Sequence, residues 1–265
     1  MSFNLTHEDT ALLFIPINIF TEEELIPLLT DCNFFSHDFF DYVAECRSKK
    51  RRMELLLGRF LILQIMQFLN VNVCFYDSIK KKEVLWLINS THAAEGTIFL
   101  SISHTNSWMV LALSLLSKVC VDIETQKEKA QKANMMLKRR LSLNFTPDDL
   151  LSSKFLWTLY EALYKLNVST EKQKEIIDCV INKVNNIPSQ TNEGITYYHI
   201  SLSGYKIFLW EDSNLPGPGC LVIAEKPSKR IKIYTANRKE QVLKKPCKIS
   251  LTGLFKFEPK WEIVI

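Results

Sequence analysis

An α+β protein whose layout repeats in two halves, joined near Ser117, is the fold class this chain predicts. Three observations carry that prediction. A long helical pattern runs over residues 44–69, where Met53, Leu56, Leu57, Phe60, Leu61 and Gln64 recur at three- and four-residue spacing. Three strand-like runs follow, over residues 97–103, 108–115 and 118–124. They are rich in β-branched and aromatic side chains, are parted by short polar turns, and read as a small antiparallel sheet. The order then returns, with helices over 127–141 and 147–166 and strands over 196–201, 204–210 and 220–224. The predicted division is an N-terminal half, residues 1–117, and a C-terminal half, residues 118–265, that ends in a basic tail.

The element boundaries have local causes. Thr146 is placed as the N-cap of the second late helix, with Pro147 in its first position and Asp148 and Asp149 in the turn where acidic groups suit the helix dipole. The segment Leu215-Pro216-Gly217-Pro218-Gly219 is a turn signal between two of the late strands.

Composition narrows the class. Hydrophobic residues make up 47% of the 265 and charged residues 23%, the balance of a chain that folds around a core. The seven cysteines are scattered, odd in number and without a C-x-x-C pair, which argues against a disulfide framework or a zinc site and for a reducing, cytoplasmic setting. The apolar stretch at residues 11–20 lacks a basic lead and a small-residue cleavage site, so no signal peptide is read. The longest apolar run, residues 108–116, is about half of the ~20 residues a spanning helix needs, and no membrane association is expected. Net charge is only +4, but it is clustered at residues 49–52, 80–82 and 138–140 and beyond residue 226. Such clusters are solvated faces or contacts for an anionic partner. With no helix-turn-helix, zinc-finger or aromatic-rich signature, nucleic acid is not the expected partner. The chain is expected to be monomeric.

Three motifs carry candidate chemistry. In Val119-Cys120-Val121-Asp122-Ile123-Glu124 two carboxylates stand two residues apart in an apolar strand. Their side chains project to the same side, so they can converge on one ion; alternatively the strand is ending and Glu124 lies in the loop. An isolated carboxylate between Val121 and Ile123 needs a partner, because burying a lone charge is costly. On the helix around residues 155–166, Trp157, Glu161 and Lys165 recur every four residues. This is either an ordinary i, i+4 pair or a cleft wall that supplies a third carboxylate and an ammonium. Carboxylates of this kind suit Mg²⁺, which completes its shell with water and substrate phosphate. Third, Ser101-Ile102-Ser103-His104 ends a strand in a histidine, either structural or facing a cleft.

Taken in order, Lys50-Arg51-Arg52-Met53-Glu54-Leu55-Leu56-Leu57-Gly58-Arg59, the serine-histidine strand end, the Val119–Glu124 strand and Trp157-Thr158-Leu159-Tyr160-Glu161-Ala162-Leu163-Tyr164-Lys165 resemble the motif series of the Sfp-type 4'-phosphopantetheinyl transferases. The matches span most of the chain. The resemblance implies two similar α/β halves related by pseudo-twofold symmetry, with coenzyme A as substrate in the cleft between them. It implies transfer of 4'-phosphopantetheine to a serine of an apo acyl, peptidyl or polyketide carrier protein, with release of 3',5'-ADP. By motif match, Asp122, Glu124 and Glu161 would bind Mg²⁺, Glu161 would serve as or position the general base, and Lys165 would contact the diphosphate. Ser103 and His104 would bind the coenzyme's phosphates, and Lys50, Arg51, Arg59 and Lys82 its nucleotide end.

Three positions depart from the family pattern. Cys120 stands at a usual glycine, Tyr160 replaces the lysine before the glutamate, and Lys80-Lys81-Lys82-Glu83 occupies the place of a Gly-Lys-Pro turn. Two rival readings use the same residues. One is a non-catalytic relative that binds coenzyme A or a carrier protein, and the other is a Mg²⁺-dependent phosphohydrolase.

Overall fold

The computed structural model describes residues 5–6, 8–30, 35, 37–68, 73–75, 86–88, 98–143, 155–184, 186, 189–192, 195–202, 204–211, 215–224, 229–238 and 255–264. The predicted Thr146 cap, the first turns of its helix and Lys82 lie outside them. Among the described residues the chain is a mixed α+β protein with six α-helices and two five-stranded sheets. It divides into two compact units. One comprises Met1–Asn4, Ile15–Ile98 and Thr235–Glu258, and the other Leu5–Phe14, Phe99–Tyr234 and Pro259–Ile265.

The first unit holds helices α1 (Glu22–Thr30), α2 (His37–Glu45) and α3 (Lys49–Phe68) and a short antiparallel pair, β2 (Val73–Phe75) with β3 (Trp86–Ile88). A capping box opens α1, with the Thr21 N–H donating to Glu24 Oε2 at 2.9 Å. Ser48 starts α3 by accepting the Arg51 N–H at 3.3 Å, four residues later than the sequence pattern suggests. The periodic side chains Met53, Leu56, Leu57, Phe60 and Leu61 are all buried, as their spacing requires.

The two five-stranded sheets draw mainly on residues of the second unit, with the strand segments 15–16, 235–238 and 255–258 counted in the first. One sheet has the order β12-β11-β1-β5-β4, built from β1 (Asp9–Pro16), β4 (Phe99–His104), β5 (Trp108–Ser114), β11 (Arg230–Arg238) and β12 (Phe255–Val264). The other has the order β6-β10-β9-β8-β7, from β6 (Lys118–Ile123), β7 (Gln190–Asn192), β8 (Ile195–Leu202), β9 (Tyr205–Glu211) and β10 (Gly219–Ala224). Strand alternation sorts the second sheet's residues. Val119, Val121, Ile123, Phe208, Trp210, Leu221 and Ile223 join Leu12, Phe14, Val110 and Ile231 of the first sheet in one core cluster. Cys120, Ile207, Leu209, Cys220 and Val222 face α4 (Lys127–Leu141), α5 (Leu156–Lys165) and α6 (Thr170–Val184) in another.

One sequence expectation changes here. The three central strands do not make one sheet: β4 pairs with β5, whereas β6 pairs with β10. A partner about 100 residues away wins because the apolar alternation of β6 and β10 matches on both faces, a match that no short turn announces. Among the described residues, the basic tail, which the sequence left unassigned, supplies two strands, β11 and β12, with β11 beside β1.

Candidate functional site

Asp122 sits on the helix-facing side of β6, the edge strand of its sheet, and is 7% exposed. Its Oδ1 is the meeting point of three motifs. Lys165 Nζ, on the last turn of α5, lies 2.8 Å from it, and Ser103 on β4 donates its hydroxyl to it at 2.7 Å. The same Nζ also donates to the Val121 carbonyl at 3.0 Å. Lys165 is delivered there because α5 packs Leu156, Leu159, Ala162 and Leu163 onto the sheet and stops at that point. Its end is closed by Asn167 in the left-handed region at φ 58°, with the Val168 N–H donating to the Leu163 carbonyl at 3.2 Å.

The other predicted residues are distributed around this centre. Glu124 follows the end of β6, is 6% exposed, and accepts the Gln126 N–H at 2.9 Å just before α4. Glu161 lies one helical turn before Lys165 and is half-buried. His104 is exposed at the end of β4, where strand alternation sends it to the face opposite Ser103. The serine-histidine pair is therefore not brought together. Lys50, Arg51 and Arg59 belong to the first unit. Lys50 and Arg51 flank the buried Glu54 at 3.7 and 3.2 Å, and the Arg59 guanidinium lies over the Phe39 ring at 5.2 Å.

Hard carboxylate oxygens such as those of Asp122, Glu124 and Glu161 are the donors Mg²⁺ takes. Among the described residues, no three His, Cys, Asp or Glu side chains gather closely enough to hold a metal ion. The donor type suits the ion, but Asp122, Glu124 and Glu161 are not gathered about one point, and Asp122 Oδ1 is taken by the Lys165 ammonium.

Trp157 and Tyr164 are legible in the sequence as walls of one face of α5; the Arg140 contact and the α4 cavity are not. Tyr160, 6% exposed, stands in an aromatic row with Trp157 at 6.1 Å and Tyr164 at 6.3 Å, and the Arg140 guanidinium lies 6.0 Å from its ring centre. An arginine from α4 thus brings a positive charge beside Tyr160, the position where the resembled pattern has a lysine. The i, i+3 and i+4 spacing of the three aromatics was the available signal. At the end of α4 a cavity of about 380 Å³ is lined by Met135, Lys138, Arg139, Ser142 and Leu143, and Met135 and Met136 are exposed. Burial pushes the Cys120 thiol up to about 11, against the opposing pull of its Ser101 hydrogen bond and of the Lys165 charge. It is a packing group and not a thiolate nucleophile.

No protein-family model matches the chain. No curated protein matches it in sequence. Among the described residues, no helix is long and apolar enough to cross a membrane.

Proposed function

We propose that this chain transfers 4'-phosphopantetheine from coenzyme A to a serine of an apo acyl, peptidyl or polyketide carrier protein. The supporting observation is the convergence at Asp122 Oδ1. Residues 19 and 43 positions away, each singled out by a separate motif, reach one carboxylate oxygen at 2.7 and 2.8 Å. The reading carries with it the resembled fold, two similar α/β halves in one chain, and a cytoplasmic setting.

In this reaction the carrier serine oxygen bonds to the diphosphate phosphorus on the pantetheine side. The bond from that phosphorus to the bridging oxygen breaks, and 3',5'-ADP leaves. Glu161 takes, or positions the group that takes, the serine proton. Lys165, anchored on Asp122 and still 29% exposed, holds an ammonium where diphosphate charge must be balanced. Magnesium is assigned to Asp122, Glu124 and Glu161 on motif resemblance alone; were these carboxylates drawn together around it, it would add further neutralisation of that charge. On motif resemblance alone, His104 in the second unit is assigned to coenzyme phosphates and Lys50, Arg51, Arg59 and Lys82 to its nucleotide end; Ser103, which the motif would also send to phosphate, gives its hydroxyl proton to Asp122. No enzyme nucleophile is needed, in keeping with the protonated Cys120.

The test is to incubate the protein with coenzyme A, Mg²⁺ and several apo carriers and to look by mass for the added phosphopantetheine. Modification of at least one carrier at its serine is expected, with none when Mg²⁺ is chelated. The aromatic burial of Tyr160 favours a second reading, a non-catalytic coenzyme A or carrier binder. Coenzyme A or carrier binding with every carrier left unmodified would select it.

A further inference from the structure

We propose that Ser101 and Ser103 are positioning residues whose hydroxyls replace an absent strand along the outer edge of β6 and thereby fix the Asp122 carboxylate. Among the described residues β6 is the last strand of its sheet, and its outward backbone groups have no ladder partner there. Val121 and Ile123 are nevertheless buried, and buried amides require acceptors. β4 supplies them. On its inward face Ser101 and Ser103 stand beside Ala112 and Val110 of β5, two hydroxyls where the neighbouring strand is apolar.

Ser101 Oγ accepts the Val121 N–H at 3.1 Å and Ser103 Oγ accepts the Ile123 N–H at 3.3 Å. Between them, the Val121 carbonyl accepts from Lys165 Nζ. The two-residue spacing of the serines copies the spacing of a strand's own rungs. Ser103 has one hydroxyl proton, and it is given to Asp122 Oδ1. With that proton committed and the residue 5% exposed, Ser103 acts through Asp122 and is not a phosphate ligand. The importance of Asp122 rests on the transferase reading; the rungs themselves do not.

The test joins amide hydrogen exchange, followed by NMR, with transfer kinetics. In Ser103→Ala the Ile123 amide is expected to exchange about tenfold faster, with the Phe208 amide unchanged, because the lost acceptor is local. The kcat is expected to fall about tenfold while KM for coenzyme A stays within about twofold. Ser103→Thr, which keeps the hydroxyl, is expected to restore both. Unchanged Ile123 exchange in Ser103→Ala overturns the rung. A raised KM with unchanged kcat makes Ser103 a coenzyme ligand, and a Thr variant as impaired as the Ala variant removes the hydroxyl's role. Should Ser103→Ala not fold, Ser101→Ala carries the same exchange test at the Val121 amide. If the wild-type protein transfers nothing, the exchange result still decides the rungs, so the two ideas fail separately.

Discussion

Two aspartates in the second unit carry cationic partners, and they differ in what the pairing serves. Asp9 has no exposed surface, and Arg230 Nε and Lys232 Nζ each lie 2.8 Å from its carboxylate. Burial alone would raise its pKa, but hydrogen bonds from Lys232 and Thr6 and the Lys232 charge outweigh it and lower the value from 3.8 to about 2. The folded pKa is below the unfolded one. The stabilisation is therefore complete above 3.8 and is lost as pH falls through about 2. We predict that Asp9→Asn destabilises the protein by about 1–3 kcal/mol near neutral pH, since two cations lose their counter-charge. The gap from wild type in urea melts should close as pH drops across that window; a pH-independent gap would remove the electrostatic account. Asp122 instead holds a partly exposed ammonium beside the motif residues. Asp122→Asn should lower transfer about 100-fold or more while leaving the far-ultraviolet circular dichroism unchanged. Near-wild-type transfer in that variant would exclude Asp122 from the site.

At the scale of elements, β10 depends on a glycine. A Cβ on Gly219 would overlap the ring of Trp210, which is fully buried and is fixed by its Nε1–H donating to the Pro216 carbonyl at 3.0 Å. Gly219→Ala should therefore cost about 1–3 kcal/mol in chemical denaturation. The penalty should shrink in a Trp210→Leu background, and strict additivity would show that the overlap is not its cause. A milder loss, about 1 kcal/mol, is expected for Ser169→Ala, because the Ser169 hydroxyl accepts the Lys172 N–H at the start of α6. That helix marks the limit of what was legible. α4 matched its pattern, and β5, β6, β8, β9 and β10 were placed within a residue or two, because each carries its own period and turn signals. α6 was not read, although Ile176, Ile177, Val180, Ile181 and Val184 hold a helical stripe, because polar residues fill the positions around that stripe. The Asp122–Lys165 contact was legible only as two motifs. Which edge of which sheet Asp122 occupies depends on long-range pairing that local pattern does not encode.

For the whole molecule, charge placement sets the expected partner. The last turn of α4 carries Lys138, Arg139 and Arg140 beside exposed Met135 and Met136, on a chain of net charge +4. If an acidic apo carrier approaches this face, affinity should fall as salt rises from about 0.1 M to about 1 M, where the Debye length shrinks from about 10 Å to about 3 Å. A Lys138→Glu/Arg139→Glu variant should lower both the affinity and its salt slope in titration calorimetry. Binding that is flat with salt and indifferent to the reversal would point to the methionines as the contact. Either result bears on docking alone and leaves the Asp122 centre untouched.

The placement of β1 has a consequence for how the chain reaches its native state during synthesis. β1 lies between β5 and β11 and is made before either, so its two neighbours emerge at very different times. Its pairing with β5 becomes available once residue 114 has been made, whereas β11 begins only at residue 230. Until then Asp9 lacks both Arg230 and Lys232, and one edge of β1 stays open to any extended segment nearby. A ribosome-bound chain halted before residue 230 should therefore present that edge to holdase chaperones and give it up within the next few dozen residues. A strand made more than 200 residues later would then close over β1.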